Sequence, residues 1–365
     1  MRVSKAVAVL ALLLAVPAFA EITIDELVSQ SRVVEGPVAV QDLERWNGAR
    51  KILVTRIGKE HAPKMQALLP DSELVFVSSA DEALSEVGDV DAILGSCSPD
   101  LIAAAPRLVW VQIFSAGAER CLAVPRIASG EVLLTNMQKM ASPTIGEHAV
   151  AMALALARGL PSFARRMPDG GWQRDSETTA RMVPLGGKTM LVIGLGGIGI
   201  EAARRGAGLG MRVIATRNSS RDGPEFVDYV GLSHELPDLA GKADVIVNAL
   251  PLTDSTRGML DEEFFARVKQ GAFFVNVGRG ATVDTDALLA ALQSGQLGGA
   301  GLDVTDPEPL PPSHPLWQLD NVIITPHVSS RGGGFERLMT LLLENLRRYA
   351  AGEALFNVVD PGKGY

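Results

Sequence analysis

Leu191-Val-Ile-Gly194-Leu-Gly196-Gly-Ile-Gly199 is the stretch on which the fold turns. Its glycines have the spacing G-x-G-x-x-G, an apolar run precedes them, and a segment rich in Ala and Arg follows. In a loop that meets a dinucleotide each glycine has a task. Gly194 permits the tight turn, Gly196 lets the backbone approach a pyrophosphate, and Gly199 lets helix and strand pack closely. The helix that begins there points free N–H groups and a positive dipole end at the phosphates, so Gly197 and Ile198 belong to the same site. The spacing alone is a weak signal. The strand before it, the helix after it and a further strand at Arg212–Thr216 make it a specific one.

Outward from this loop, apolar runs at Met190–Ile193, Arg212–Thr216, Asp244–Asn248, Ala272–Val277, Gly299–Leu302 and Val322–Ile324 predict a six-stranded dinucleotide-binding unit. Upstream, short β-rich runs at 52–55, 73–78, 91–94 and 108–114 alternate with helical segments such as Ala62–Leu69 and Ser98–Ala105, which implies a second parallel sheet with helices on its faces. The class is α/β: two Rossmann-like or flavodoxin-like parallel-sheet domains with a cleft between them. The expected division is a substrate domain over 51–148, completed by 329–357, and a coenzyme domain over 149–328. Residues 21–50 read as a polar, irregular lead-in, and 161–182 as a turn-rich stretch. An apolar helix is expected from Thr144 to Gly159. Apolar nearly all round, it must be buried inside the chain or against a second subunit.

Composition limits the partners. Of 365 residues, 47% are hydrophobic and 21% charged, a globular balance, and the net charge of −8 gives no basic footprint for nucleic acid. Arg2 and Lys5, the apolar run Ala6–Val16 and Ala18-Phe19-Ala20 describe a secretory signal peptide over 1–20. The run is too short to span a bilayer, so no membrane span is expected after cleavage. The address is then periplasmic or secreted, and cytoplasmic only if the signal goes unused. Cys97 and Cys121 are the only cysteines and cannot build a metal cluster. Two free thiols is the reading preferred for them. A disulfide is the alternative that an oxidising compartment would permit.

Five segments carry the chemistry. Gly194–Gly199, Asn276-Val-Gly-Arg279-Gly280, Gly301-Leu-Asp303-Val304, Glu308-Pro309 and Thr325-Pro-His327 occur in this order. Together they resemble the signature segments of the D-isomer-specific 2-hydroxyacid dehydrogenases, glyoxylate/hydroxypyruvate reductases above all, from about Lys51 to the C-terminus. The resemblance implies that Arg279, Glu308 and His327 are the catalytic set and that Asp303 orients the nicotinamide carboxamide. Together with the apolar helix Thr144–Gly159, it also implies a homodimer joined partly through that helix. The residue types suit the reaction. Reduction of a 2-keto acid needs a proton donor, and an imidazole titrating near 6.5 supplies one. A carboxylate beside the ring favours the charged form and selects the tautomer. A guanidinium offers a planar fork to the substrate carboxylate.

The loop Ser115-Ala116-Gly117 resembles the family's substrate loop, where small residues let backbone N–H groups face an anion. Leu250, Pro251 and Val277 are assigned to the coenzyme with the glycine loop. The strand that ends in Thr216-Arg217-Asn218-Ser219-Ser220-Arg221 lacks the acid that takes the ribose hydroxyls in an NAD site. Thr216, Arg217, Asn218 and Ser219 therefore predict NADP as the preferred coenzyme, with NAD the alternative. The partner expected is a small 2-keto or 2-hydroxy acid. Two other functions compete: a formate dehydrogenase, whose histidine pairs with glutamine where Glu308 stands here, and a non-catalytic dinucleotide sensor.

Overall fold

The structure is a computed structural model and describes residues 22–362 apart from 171, 173 and 219. The signal peptide expected over 1–20 and Ser219 of the coenzyme loop lie outside these residues.

Strands Lys51–Val54 (β2), Glu73–Phe76 (β3), Ala92–Leu94 (β4), Trp110–Gln112 (β5) and Leu133–Thr135 (β6) form a parallel sheet in the order β3-β2-β4-β5-β6. A second parallel sheet holds seven strands. They are Thr189–Ile193 (β7), Arg212–Arg217 (β8), Tyr229–Leu232 (β9), Val245–Asn248 (β10), Ala272–Asn276 (β11), Leu297–Leu302 (β12) and Val322–Ile324 (β13), in the order β13-β12-β11-β10-β7-β8-β9. All six strands expected in this unit are present. The seventh, β9, is an edge strand reading Tyr-Val-Gly-Leu, exposed at its start and broken by glycine, so no apolar run reveals it. Chain order reverses at β7, whose neighbours are β8 and β10, and a crevice opens beyond the carboxyl ends at such a point.

The lead-in is not irregular. Thr23 caps the helix Ile24–Ser31 and Glu26 returns a hydrogen bond to the cap, a reciprocal pair that the sequence already carried. A strand at Glu35–Ala39 (β1) then pairs antiparallel with Ala354–Phe356 (β14). The stretch 161–182 also holds more order than expected, with helices Leu160–Arg166 and Ser176–Arg181. The apolar helix spans Ser142–Ala157, and its buried face packs on the helix Gly197–Gly208 and on β11 and β12 of the same chain. Intrachain packing thus accounts for much of its composition, including the close pass of Gly146 against Glu201 and Ala202.

The last helix, Phe335–Ala351, packs on the first sheet, and the reason is chemical as well as apolar. Its Leu342, Leu346 and Tyr349 are buried among Ile52, Val54 and Trp110, with the Tyr349 and Trp110 rings 4.9 Å apart. Asn345 donates to Gln112 Oε1 and to the Phe356 carbonyl, and Gln112 also takes the Thr135 hydroxyl, which itself accepts from the Trp110 indole. The Tyr349 hydroxyl donates to Asp91 Oδ1 at 2.9 Å, while Asp91 Oδ2 accepts the backbone N–H groups of Arg50 and Lys51. Burial raises the Asp91 carboxyl above its usual range despite those donors.

The cysteine expectation is corrected. Cys97 and Cys121 are joined in a disulfide with a Cα–Cα separation of 5.4 Å, inside the limit that bridging requires. Cys97 follows β4 and Cys121 lies beyond β5. These strands are neighbours in the sheet, and that adjacency brings two residues 24 positions apart together.

Removing only the Tyr349 hydroxyl leaves Asp91 Oδ1 without its donor in the core. Tyr349→Phe should lower the unfolding free energy by about 1–3 kcal/mol, the usual cost of an orphaned buried polar group. Denaturant unfolding that gives an unchanged midpoint would count against this account of the helix's return.

Candidate active site

The carboxyl ends of β7, β10, β11, β12 and β13 present the loops singled out in the sequence. At the end of β7 the chain turns at Gly194, whose φ of +92° is a region most side chains avoid. A Cβ on Gly199 would lie 2.1 Å from the Gly194 carbonyl oxygen, so the helix can begin only with glycine there. Gly196 caps the helix without a side chain and opens onto free space, so the first N–H groups of Gly197, Ile198 and Gly199 are left for a ligand. The Ala249 carbonyl lies against Gly194, which brings Leu250 and Pro251 to the rim of this loop. Val277 is buried in the core, and its N–H is bonded to the Asn248 carbonyl.

Thr216 is buried too, and its carbonyl accepts from Gly194 and Leu195. Arg217 is half-buried beyond it and donates to the Asp222 carbonyl at 2.8 Å, and Asn218 is exposed. The run Thr216–Arg221 also offers Arg221 as a second cation beside Arg217. Arg221 turns away to pair with Glu235 at 2.7 Å and bonds the Tyr229 hydroxyl. Its partners lie on and after β9, the strand the sequence hid.

Two asparagines anchor the next two loops. Asn248 and Asn276 end the adjacent strands β10 and β11 in register and are fully buried. Asn248 donates to Asn276 Oδ1 and to Thr282 Oγ1, and accepts from the Leu250 N–H; Asn276 accepts from the Gly278 N–H, and Thr282 donates to the Arg279 carbonyl. This network holds the turn that carries Arg279. The guanidinium donates through Nη1 to the Gly278 carbonyl and through Nε to Glu119 Oε1 at 3.1 Å. Nη2 lies beside Gly117, where a Cβ would come within 2.5 Å of it. The substrate-loop candidates Ser115, Ala116 and Gly117 are therefore across from Arg279. The Ser115 hydroxyl donates to the Gly117 carbonyl, and Asn136 holds the Ala116 carbonyl. Among the described residues, none accepts from the N–H groups of Ala116 and Gly117.

His327 Nδ1 lies 2.7 Å from Glu308 Oε1, and both side chains are about half exposed. With Nδ1 facing the carboxylate, Nε2 is the nitrogen left free. The backbone of His327 is left-handed, φ +52°, a conformation costly for any residue with a Cβ. It is held there because its N–H donates to the carbonyls of Asp303 and Thr325, both at 2.9 Å.

The Asp303 side chain is buried and grips the same loop. It accepts from the Thr325 hydroxyl at 2.6 Å, the Val328 N–H at 2.9 Å and the Ser329 N–H. Burial alone would raise its carboxyl. The hydrogen bonds from Ser329, Thr325 and Val328 outweigh burial and hold it below the usual range. This is an occupation that the sequence reading, which gave Asp303 to the nicotinamide, did not foresee. His148 Nε2 reaches the Thr325 hydroxyl at 3.1 Å and completes the cluster.

Beside the glycine loop lies a recess lined by Arg32, Lys139, Ser142, Gly197 and Arg337. A Cβ on Gly197 would come within 2.6 Å of the Ser142 hydroxyl. Burial, and then the Arg32 charge, hold the Lys139 ammonium below its usual range. Sequence reasoning missed Glu119, Lys139, Ser142 and the two asparagines. Glu119 and Ser142 stand close in the chain to segments already singled out, but nothing in their own pattern distinguishes them from surface residues.

Residues 150–329 match the NAD binding domain of the D-isomer specific 2-hydroxyacid dehydrogenases. The chain is 30% identical over 315 residues to a glyoxylate reductase of Thermofilum pendens, covering 83% of this chain and 92% of that one. It is 35% identical over 246 residues to the human glyoxylate reductase/hydroxypyruvate reductase, covering 67% and 74%. Among solved structures it resembles a D-isomer specific 2-hydroxyacid dehydrogenase from Xanthobacter autotrophicus Py2 in complex with NADPH and MES, at a TM-score of 0.74 and 30% identity over 87% of this chain and all of that one.

The Asp303 cluster makes a prediction with a sign. A carboxyl held low in the folded state contributes stability that is full above the unfolded value of about 3.9 and is lost as pH falls through the folded value. Asp303→Asn should therefore be less stable than the native protein at pH 7, and the gap should close as pH falls below about 4. Thermal melts from pH 7 to pH 3 read it, and a gap independent of pH would remove the charge from the account.

Proposed function

The chain belongs to the D-isomer specific 2-hydroxyacid dehydrogenase family, NAD(P)-dependent oxidoreductases acting on CH–OH groups, and from that premise we propose that it reduces small 2-keto acids of the glyoxylate and hydroxypyruvate type. The observation that carries the proposal is the His327–Glu308 pair at 2.7 Å, on a strained loop whose strand is a sheet neighbour, one strand removed, of the strand that carries Arg279.

The glycine turn fits a dinucleotide, since Gly194 and Gly199 accept no side chain and the N–H groups after Gly196 lack intrahelical partners. Gly194, Gly196, Gly197, Ile198 and Gly199 would hold the pyrophosphate, with Ser142 and the Lys139 charge beside them and Leu250 and Pro251 at the rim. A nicotinamide coenzyme bound there supplies the hydride in reduction and takes it in oxidation. Arg279 binds the substrate carboxylate, helped by the N–H groups of Ala116 and Gly117, and sets the 2-keto group before His327. The proton reaches the keto oxygen from His327 Nε2. Glu308 at Nδ1 stabilises the imidazolium before transfer and keeps the ring oriented after it. Because Glu308 is a carboxylate and not an amide, the ring can hold the extra proton that a keto acid needs and a formate reaction does not.

Arg217 supports NADP as the preferred coenzyme. It is the cation at the end of β8 where an NAD site has an acid, and with Arg221 committed to Glu235 the reading rests on Arg217 and its neighbour Asn218.

Two measurements test these readings. His327→Ala should lower kcat on glyoxylate or hydroxypyruvate by about 10² or more, the usual worth of a general acid, and unchanged turnover would remove His327 from the mechanism. One Arg–phosphate contact of about 2 kcal/mol corresponds to a preference of roughly thirtyfold. The ratio of kcat/KM for NADPH over NADH should be of that order and should collapse in Arg217→Asp. Equal values for the two coenzymes in the native protein would end the preference.

A further inference from the structure

The pairing of Arg279 with Glu119 leads beyond the family chemistry. A guanidinium binds a carboxylate in a fork through two of its N–H edges, either Nε with Nη2 or Nη1 with Nη2. In this chain one Nη1 N–H goes to the Gly278 carbonyl, so Nε with Nη2 is the edge that uses no nitrogen already bonded to the main chain. Glu119 stands on that edge: its Oε1 is 3.1 Å from Nε, and its Oε2 and Arg279 Nη2 both lie against the bare Cα of Gly117. No side chain larger than hydrogen fits there without displacing one or the other.

The carboxylate is held in place by more than the ion pair. Glu119 opens the short helix Glu119–Leu122, and the disulfide from Cys121 to Cys97 ties that helix to the loop after β4. The pair is partly open to water, with side chains 28% and 41% exposed, so an entering anion can displace it. A pair this exposed contributes little to stability, and its effect is instead on what reaches Arg279.

We propose that Glu119 is an internal competitor for Arg279 that sets the affinity and the charge specificity of the substrate site: a substrate carboxylate must displace it from the Nε/Nη2 edge, and, once displaced, its charge stays at the rim and disfavours a substrate with a second carboxylate. The proposal rests on Arg279 as the carboxylate anchor. A competing carboxylate costs binding in the ground state and the transition state alike, so it acts on KM and leaves kcat little changed. A carboxylate that served to orient Arg279 would act in the opposite sense, because its loss would raise KM or lower kcat.

The experiment is steady-state kinetics of the native chain, Glu119→Gln and Glu119→Ser with glyoxylate and with oxaloacetate, at saturating coenzyme, together with inhibition by oxamate, an unreactive keto-acid mimic. Melting temperatures confirm that each variant is folded. In both variants KM for glyoxylate and the inhibition constant of oxamate should fall about threefold with kcat little changed. The kcat/KM for oxaloacetate relative to glyoxylate should rise about tenfold. Folded variants with unchanged KM and an unchanged ratio, or with raised KM or lowered kcat, overturn the inference while leaving the function above standing. A native chain that turns over no 2-keto acid overturns both.

Discussion

A single buried carboxylate organises the reactive end of this molecule. Asp303 follows β12 with almost no access to water, and it accepts hydrogen bonds from Thr325, Val328 and Ser329. Those three residues surround His327, whose left-handed backbone would relax if they let go. A buried charge is tolerated only when its lone pairs are satisfied, and here the donors are the loop itself. The bonds that satisfy Asp303 thus fix the loop on either side of His327, whose own N–H is held by the Asp303 and Thr325 carbonyls. The His327 backbone is held by the main chain, and Glu308 meets its ring at Nδ1.

The other half of the site is held by neutral groups. Asn248 and Asn276 stand side by side at the ends of two parallel strands and satisfy the loops that carry Leu250, Gly278 and Arg279. An amide both donates and accepts, so one side chain can hold two backbone groups and its neighbour at once. The site therefore rests on two rigid supports, a carboxylate under His327 and an amide pair under Arg279. Between them Arg279 faces the first sheet, where Gly117 and Glu119 meet it. The disulfide lies on that side as well, and it joins the helix that begins at Glu119 to the segment after β4.

Much of this was legible in the chain, for identifiable reasons. The glycine loop announces itself because a steric requirement recurs at a set spacing, and the distance from Gly199 to the Gly194 carbonyl is that requirement made visible. Six strands of the second sheet were evident because strands buried on both faces read as continuous apolar runs. The edge strand β9 is half exposed and glycine-broken, so it carried no such signal. With β9 unseen, the partners of Arg221 were unseen, and nothing in the chain showed that Glu235 takes its charge.

The sequence by itself determined what is local or repetitive: the α/β alternation, the turn at Gly194, and the residue types able to move a proton and bind a carboxylate. The tertiary structure alone decided which of them meet. Cys97 and Cys121 are bonded because β4 and β5 are neighbours in the sheet. Glu119 lies on Arg279 across 160 residues of chain, and the Asp303 carboxylate holds its loop because β12 and β13 run side by side. Hydrogen bonds and ion pairs act over about 3 Å of space whatever the separation along the chain. Pattern can therefore name the groups, and only folding can say which of them are within that distance.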